Sequence, residues 1–200
     1  MGQFFLLGAF LLIALFYVGM QFGKPLVHTD TKNLHYIIDN VKTELPHALN
    51  LGINKTTPTP IMTNFTRYLD ESLYFVNFST LWIYTDNIDF GSLIGGFTET
   101  LNVTLGNFLD YSVTVNVTVD GTSKDITIVN NETNSTAFEV DITADRYFNM
   151  TVKFDGTTRQ MNNTVLDKYN LYALIKVQRG GDFIKEELVE PIDMGYSITS

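Results

Sequence analysis

The sequence predicts a mainly β protein, with an N-terminal hydrophobic helix and amphipathic helices followed by an antiparallel β-sandwich. Three observations lead to this fold class. Residues 4–22 form an uncharged, mostly apolar run. Between residues 34 and 73 the apolar side chains recur at helical spacing. From Leu81 onward the apolar period falls to two, and turn dipeptides separate the segments.

The apolar run at the N-terminus has the length of a membrane-spanning helix. Its nineteen residues, 4–22, span about 28 Å at helical rise, close to the thickness of a bilayer's hydrocarbon core. Residues 1–23 show neither a basic n-region nor a clear small-x-small cleavage site, so we expect a retained transmembrane or filament-core helix. Small residues that would allow close helix packing are Gly8, Ala9, Ala14 and Gly19.

Residues 24–78 are expected to form a helical stalk and linker. A first amphipathic helix should follow a cap near Asp30, and it should kink or end near Pro46, with Gly52 as a stop. The prolines and threonines of residues 54–60 predict an extended linker, and a second helix should begin after Pro60. The apolar positions of the two helices are Leu34, Ile37, Ile38, Val41, Leu45, Ile61, Phe65, Leu69 and Leu73.

Residues 79–200 are expected to form the β domain. Eight strand candidates follow one another with short turns and no interleaved helix, which is typical of an antiparallel sandwich or barrel. We predict an immunoglobulin-like sandwich, with Trp82 in its core. The side chains expected to face inward are Val113, Val115, Val117, Phe138, Val140, Ile142, Phe148, Met150 and Val152.

Glycosylation motifs are more numerous than chance predicts. The sequence has nine Asn-x-Ser/Thr sequons, whereas its composition predicts roughly three. In three strand candidates the alternation places Asn102, Asn116 and Asn149 on the polar face, where a glycan would not enter the core. These sequons predict a domain outside the cytoplasm. The acceptor residues are Asn54, Asn64, Asn77, Asn102, Asn116, Asn131, Asn134, Asn149 and Asn162.

No pattern in the sequence predicts catalysis. The net charge of −9 argues against nucleic acid as a partner, and the lack of cysteine excludes disulfides and thiolate chemistry. The three histidines, His28, His35 and His47, do not have the spacing of a metal site. We therefore expect a non-enzymatic protein with no metal, no cofactor and no small-molecule substrate.

The stretch "GQFFLLGAFLLIALF" resembles the N-termini of archaeal type IV pilin-like surface proteins, which carry class III signal peptides. The resemblance implies processing between Gly2 and Gln3, with Phe4 to Phe22 as the retained helix. The remainder of the chain is similar to the β-sandwich ectodomains of archaeal membrane proteins. Pilin-like proteins of this kind assemble through their N-terminal helices, so the resemblance implies a homo-oligomeric filament.

Two functions follow from these expectations. In the first, the chain is a glycosylated cell-surface structural protein, a pilin-like subunit whose N-terminal helices pack in a filament core. In the alternative, the same helix stays in the membrane and displays a single adhesion or binding ectodomain. Leu7 favours the alternative, because it stands where the pilin-like family carries Glu. In both, the C-terminal domain lies outside the cell.

Overall fold

The computed structural model describes residues 31–89, 98–141, 147–165 and 169–192, and this part of the chain is mainly β with two helices. The hydrophobic helix expected over residues 1–23 lies outside the described residues. Helix α1 spans Thr31–Asn54 and helix α2 spans Pro58–Ser72. The strands are β1 (Asn77–Asp89), β2 (Thr98–Phe108), β3 (Val113–Val119), β4 (Thr122–Ile128), β5 (Glu132–Asp141), β6 (Tyr147–Phe154), β7 (Thr157–Val165), β8 (Tyr169–Arg179) and β9 (Asp182–Ile192).

The strands form two antiparallel sheets, as the sequence predicted. The larger sheet has the order β5-β2-β1-β8-β9, and the smaller sheet has the order β4-β3-β6-β7. Every strand pairing within the two sheets is antiparallel. Four of these pairings are hairpins between consecutive strands, since β1 pairs with β2, β3 with β4, β6 with β7 and β8 with β9.

One hydrophobic core lies between the two sheets. The larger sheet contributes Leu81 and Ile83 from β1, and the smaller sheet contributes alternate residues of β3 and β6. The inward-facing prediction is confirmed at Val113, Val115, Val117, Phe138, Val140, Phe148, Met150 and Val152, all of which are buried. Ile142, the remaining predicted position, lies outside the described residues.

A second core lies on the other face of the larger sheet, where the helices pack. Trp82 of β1 is fully buried as predicted, but it belongs to this second core together with Ile38 and Leu45 of α1. The sequence analysis assigned the helices to a stalk, whereas the structure packs them on the sheet. The physical reason is that the central strands β1 and β8 are apolar on both faces, so the second face also needs a cover.

The helices meet in a tighter connection than the sequence predicted. Helix α1 continues through Pro46 and ends at Asn54, so neither Pro46 nor Gly52 stops it. Gly52 instead allows close contact with α2, because a Cβ atom there would lie 2.6 Å from Pro58 Cα. Helix α2 begins at Pro58, in the first helical turn where proline is favoured, so the extended linker over 54–60 is replaced by a three-residue turn.

Strand β7 was not among the predicted strands, and β1 begins before Leu81, where the period of two was expected to start. Strand β7 reads "TTRQMNNTV", which has no alternation of apolar and polar residues. Its backbone hydrogen bonds with β6 form the strand pairing, which could not be predicted from its side chains. A turn at Asp155 and Gly156, with φ of 46° and 71°, joins the two strands. Strand β1 begins at Asn77 and β5 at Glu132, before their apolar segments.

Candidate functional site: the sequon surface

The sequon asparagines lie at or near the surface wherever their side chains are described. None of these eight side chains is buried, and Asn102 and Asn116 are half-buried. Asn162 lies in β7, and its side chain is outside the described residues. The exposed asparagines are Asn54, Asn64, Asn77, Asn131, Asn134 and Asn149. Asn149 is therefore exposed, as the alternation predicted, whereas Asn102 and Asn116, which the alternation also placed on the polar face, are half-buried.

Asn116 is the most restrained of the described acceptors. It lies in the middle of β3 opposite Asp125 of β4, and its Nδ2 donates to Asp125 Oδ1 at 2.7 Å. Thr118 Oγ1 donates to Asn116 Oδ1 at 3.3 Å. Both ends of the side-chain amide are therefore engaged, and after glycosylation Nδ2 would have one N–H left for the bond to Asp125.

Among the sequons whose third side chain the structure describes, three have a buried hydroxyl group at that position. Thr66, of the Asn64 sequon, is fully buried, and its Oγ1 donates to Met62 O at 2.8 Å. Ser79 of the Asn77 sequon and Thr104 of the Asn102 sequon are also buried. In contrast, Thr56 and Thr133 of the Asn54 and Asn131 sequons are exposed. Sequence reasoning missed this difference because it considered only the asparagines.

Exposed aromatic rings gather around one acceptor, Asn77. An open cavity of about 460 Å³ is lined by Tyr74, Phe75 and Asn77, together with Gln178 and Arg179. A neighbouring cavity of about 190 Å³ shares Asn77 and Gln178 and is also lined by Tyr111, Lys176 and Phe183. We call the four aromatic side chains Tyr74, Phe75, Tyr111 and Phe183 the Asn77 cradle.

The Tyr111 hydroxyl of the cradle forms hydrogen bonds with two neighbouring charged side chains. The Tyr111 hydroxyl donates to Asp155 Oδ2, and Lys176 Nζ donates to the Tyr111 oxygen at 3.1 Å. Burial, reinforced by the hydrogen bond to Asp155, raises the pKa of Tyr111 to about 12. Desolvation lowers the pKa of Lys176. At neutral pH Tyr111 is therefore protonated, and its one O–H is used by Asp155, so the network holds the ring in place instead of supplying a proton to a ligand.

His35 and His47 do not line either cavity at Asn77. His35 Nδ1 lies 3.5 Å from Glu186 Oε1, beside the ion pair of Lys42 with Glu186. His47 is exposed on α1, and His28 lies outside the described residues. Among the side chains that the structure describes, no three His, Cys, Asp or Glu residues are grouped as metal ligands.

The N-terminal predictions, namely processing at Gly2 and Gln3 and helix packing through Gly8, Ala9, Ala14 and Gly19, lie outside the described residues. In the described part of the chain, neither helix has the combined length and apolar character needed to cross a membrane. Comparison with protein-family models, with curated proteins and with solved structures finds no match to this chain.

Proposed function

We propose that this chain is a non-enzymatic, glycosylated cell-surface structural protein, a pilin-like subunit of an extracellular filament. The observation that carries the proposal is the surface position of the sequon asparagines, since none of the eight described side chains is buried. In this proposal the β domain and its helices lie outside the cell. The N-terminal segment joins each subunit to its neighbours or to the membrane.

The proposed modification is N-glycosylation from a lipid-phosphate-linked sugar donor. A bond forms between the side-chain nitrogen of Asn and the anomeric carbon of the sugar. The bond between that carbon and the carrier phosphate breaks, and the amide nitrogen loses one proton. The carrier leaves as its phosphate. No redox partner is needed, so the reaction requires only the donor and its transferase.

Helix α1 supports a structural role because it ties the N-terminal part of the chain to the β domain. It begins at Thr31, shortly after the apolar run over residues 4–22, and it buries Leu34, Ile38 and Leu45. Lys42 Nζ also donates to Glu186 Oε2 of β9 at 2.9 Å. A load on the N-terminal segment would therefore pass into a packed sheet, as a filament subunit requires.

An immunoglobulin-like classification of the sandwich is part of the proposal, and the strand order supports it in one respect. Constant-type immunoglobulin domains pair strands ABED in one sheet and CFG in the other. When this chain is followed from its C-terminal end, β7-β6-β3-β4 takes the order ABED and β5-β2-β1 takes the order CFG. The strand order therefore matches the immunoglobulin order only when the chain is followed in reverse, and β8 and β9 lie beyond the three strands that correspond to CFG.

The second candidate is a single-span, membrane-anchored adhesion or binding ectodomain. Leu7 favours it, because an uncharged residue replaces the Glu that the pilin-like family carries near the start of its helix. The exposed aromatic rings around Asn77 suit a binding surface as well as a glycosylated one. In this candidate the chain stays a monomer or a small complex in detergent.

Extraction of the native protein in mild detergent tests the two candidates. Sedimentable filaments support the first, and a detergent-soluble monomer contradicts it and supports the second. A Gly8→Ile variant should lose the filaments, because a branched side chain blocks close helix packing. Leu12→Ile, a change of shape without added bulk, should keep them. N-terminal sequencing of the same sample should give Gln3 as the first residue, and intact mass should show glycan.

A further inference from the structure

We infer that the sugar attached to Asn77 docks on the Asn77 cradle. This inference rests on the proposed glycosylation and assigns a binding site to one of the glycans. All four aromatic side chains of the cradle are exposed, with fractions of 87% for Tyr74, 42% for Phe75, 41% for Tyr111 and 56% for Phe183. Exposed aromatic surface gathered at one place indicates a contact that the bare polypeptide does not make.

Tyr74 and Phe75 line the larger cavity, Tyr111 and Phe183 line the smaller one, and Asn77 is shared by the two. It lines both cavities, and its neighbour across the strands is Gln178, which also lines both. In the described part of the chain no hydrogen bond engages the Asn77 side-chain amide, so a sugar can be carried without breaking one. Asn116 differs, because its Nδ2 is bonded to Asp125.

The composition of the cradle matches the two kinds of surface on a sugar ring. The C–H faces of a pyranose are apolar and pack on aromatic rings, while its hydroxyl and acetamido groups need hydrogen-bond partners. Phe75 and Tyr74 form an edge-to-face pair with ring centroids 5.7 Å apart, and both residues line the larger cavity. Gln178 and Lys176 supply polar groups beside the rings.

The covalent bond to Asn77 favours the attached sugar over a dissolved one as the ligand of the cradle. A sugar on Asn77 is held within a few ångströms of the cradle, so its effective concentration is far above that of any dissolved glycan. The spacing recurs on β6, where the exposed Tyr147 precedes the exposed Asn149 by two residues, as Phe75 precedes Asn77. On β6 this spacing places both side chains on one face of the strand, whereas Phe75 lies in the turn that leads into β1.

A double-mutant cycle on the full chain from a glycosylating host tests the inference. The four proteins are the wild type, Asn77→Gln, Phe75→Ala and the double variant, compared by thermal unfolding. We expect loss of the Asn77 glycan to lower Tm by about 2–4 °C when Phe75 is present, and by much less in the Phe75→Ala background. Tyr36→Ala, which removes an exposed aromatic ring from α1, is the matched control and should leave the glycan effect unchanged.

Three results would overturn the inference, and they are distinguishable. If Asn77 carries glycan but its effect on Tm is the same with and without Phe75, the sugar does not dock. If glycopeptide mass spectrometry finds sugar on other sequons and none on Asn77, the site is wrong while the glycoprotein proposal stands. If no sequon carries sugar, the proposed function fails as well. Nuclear Overhauser contacts between sugar protons and the Phe75 ring would confirm docking independently of stability.

Discussion

Gly106 lies against the indole ring of Trp82, and a Cβ atom at Gly106 would stand only 2.2 Å from Trp82 Cζ2. The two residues face each other across the β1–β2 ladder. The indole is fully buried and lies between the rings of Tyr84 and Phe108, at centroid distances of 5.9 and 6.2 Å. A residue without a side chain on β2 is therefore what allows this large ring to lie flat on the sheet beneath the helices.

We predict that Gly106→Ala destabilises the protein. The added methyl group overlaps the indole, and neither the strand nor the ring can shift without disturbing the second core. The expected loss is about 1–3 kcal/mol in the free energy of unfolding, measured by urea denaturation. Gly181→Ala is the control, because a Cβ atom there meets nothing within 4 Å. Equal stability of the two variants would show that the core adapts.

Thr66 of α2 holds the polar edge of the same indole. Trp82 Nε1 donates to Thr66 Oγ1 at 3.1 Å, and this oxygen in turn donates to Met62 O. Thr66→Val keeps the shape and leaves the buried indole donor without its acceptor, so we predict a loss of about 1–3 kcal/mol. Thr43→Val is matched, because the exposed Thr43 also donates to the carbonyl four residues earlier, at Asp39.

The Thr66 measurement requires a host without N-glycosylation, since the substitution also removes the Asn64 sequon. Under that condition loss of a glycan no longer contributes to the difference between the variants. A Thr66→Val protein as stable as Thr43→Val would mean that the bond to Trp82 contributes nothing net.

The contact between α1 and β9 should depend on pH. The hydrogen bond from Lys42 lowers the pKa of Glu186, and the charges of Lys42 and His35 lower it further against the opposing effect of burial. Because the folded-state pKa is below the unfolded value, the stabilisation is present above the unfolded pKa of about 4.5 and is lost as the pH falls through the folded pKa. For this partly exposed pair we expect about 0.2–1 kcal/mol.

Comparison of the wild type with Glu186→Gln over a pH series measures this contribution. The stability difference should be present near neutral pH and vanish in acid. Glu190→Gln, at an exposed carboxylate of the same strand, should show no comparable change. A difference for Glu186→Gln that persists below the folded pKa would assign the effect to packing instead of charge.

The sequence predicted the elements whose side chains alternate and missed what depends on contacts between elements. Val113, Val115 and Val117 alternate with polar residues, and that pattern alone gave β3 and its buried face. Strand β7 has no such pattern, because an edge strand can be held by backbone pairing with one neighbour, here β6. No local pattern could show that α1 and α2 cover Trp82, since this depends on both faces of β1 being apolar in the folded sheet.

For the candidate site, too, the sequence predicted the features that depend on one strand and missed those that depend on several elements. Strand alternation placed Asn149 on the surface correctly, because it needs only the side chain's own strand. The burial of Thr66 and Thr104 was not predictable, because it depends on contacts between elements, such as the bonds of Thr66 to Trp82 and of Thr104 to Ser135. The Asn77 cradle likewise joins residues far apart in the sequence, such as Phe75 and Phe183.

The burial of these hydroxyl groups predicts when each sequon can be modified. A transferase that recognises Asn-x-Ser/Thr must contact the hydroxyl at the third position. Thr66, Ser79 and Thr104 are buried in the folded protein, so Asn64, Asn77 and Asn102 should accept sugar only before the chain folds. Asn54 and Asn131 keep exposed hydroxyls at Thr56 and Thr133, and they should accept sugar in either state.

Treatment of unglycosylated protein with a purified oligosaccharyltransferase and its lipid-linked donor tests this prediction. With folded substrate, glycopeptide mass spectrometry should find sugar on Asn54 and Asn131 and none on Asn64, Asn77 or Asn102. With the same chain unfolded in a urea concentration that the enzyme tolerates, all five should be modified, which also controls for the enzyme's preference among sequons. Modification of Asn64 in the folded protein would contradict the prediction, because it would require Thr66 to leave Trp82 without unfolding. In that case α2 would have to open locally from the sheet, and hydrogen exchange at Thr66 would be as fast as at the exposed end of the helix.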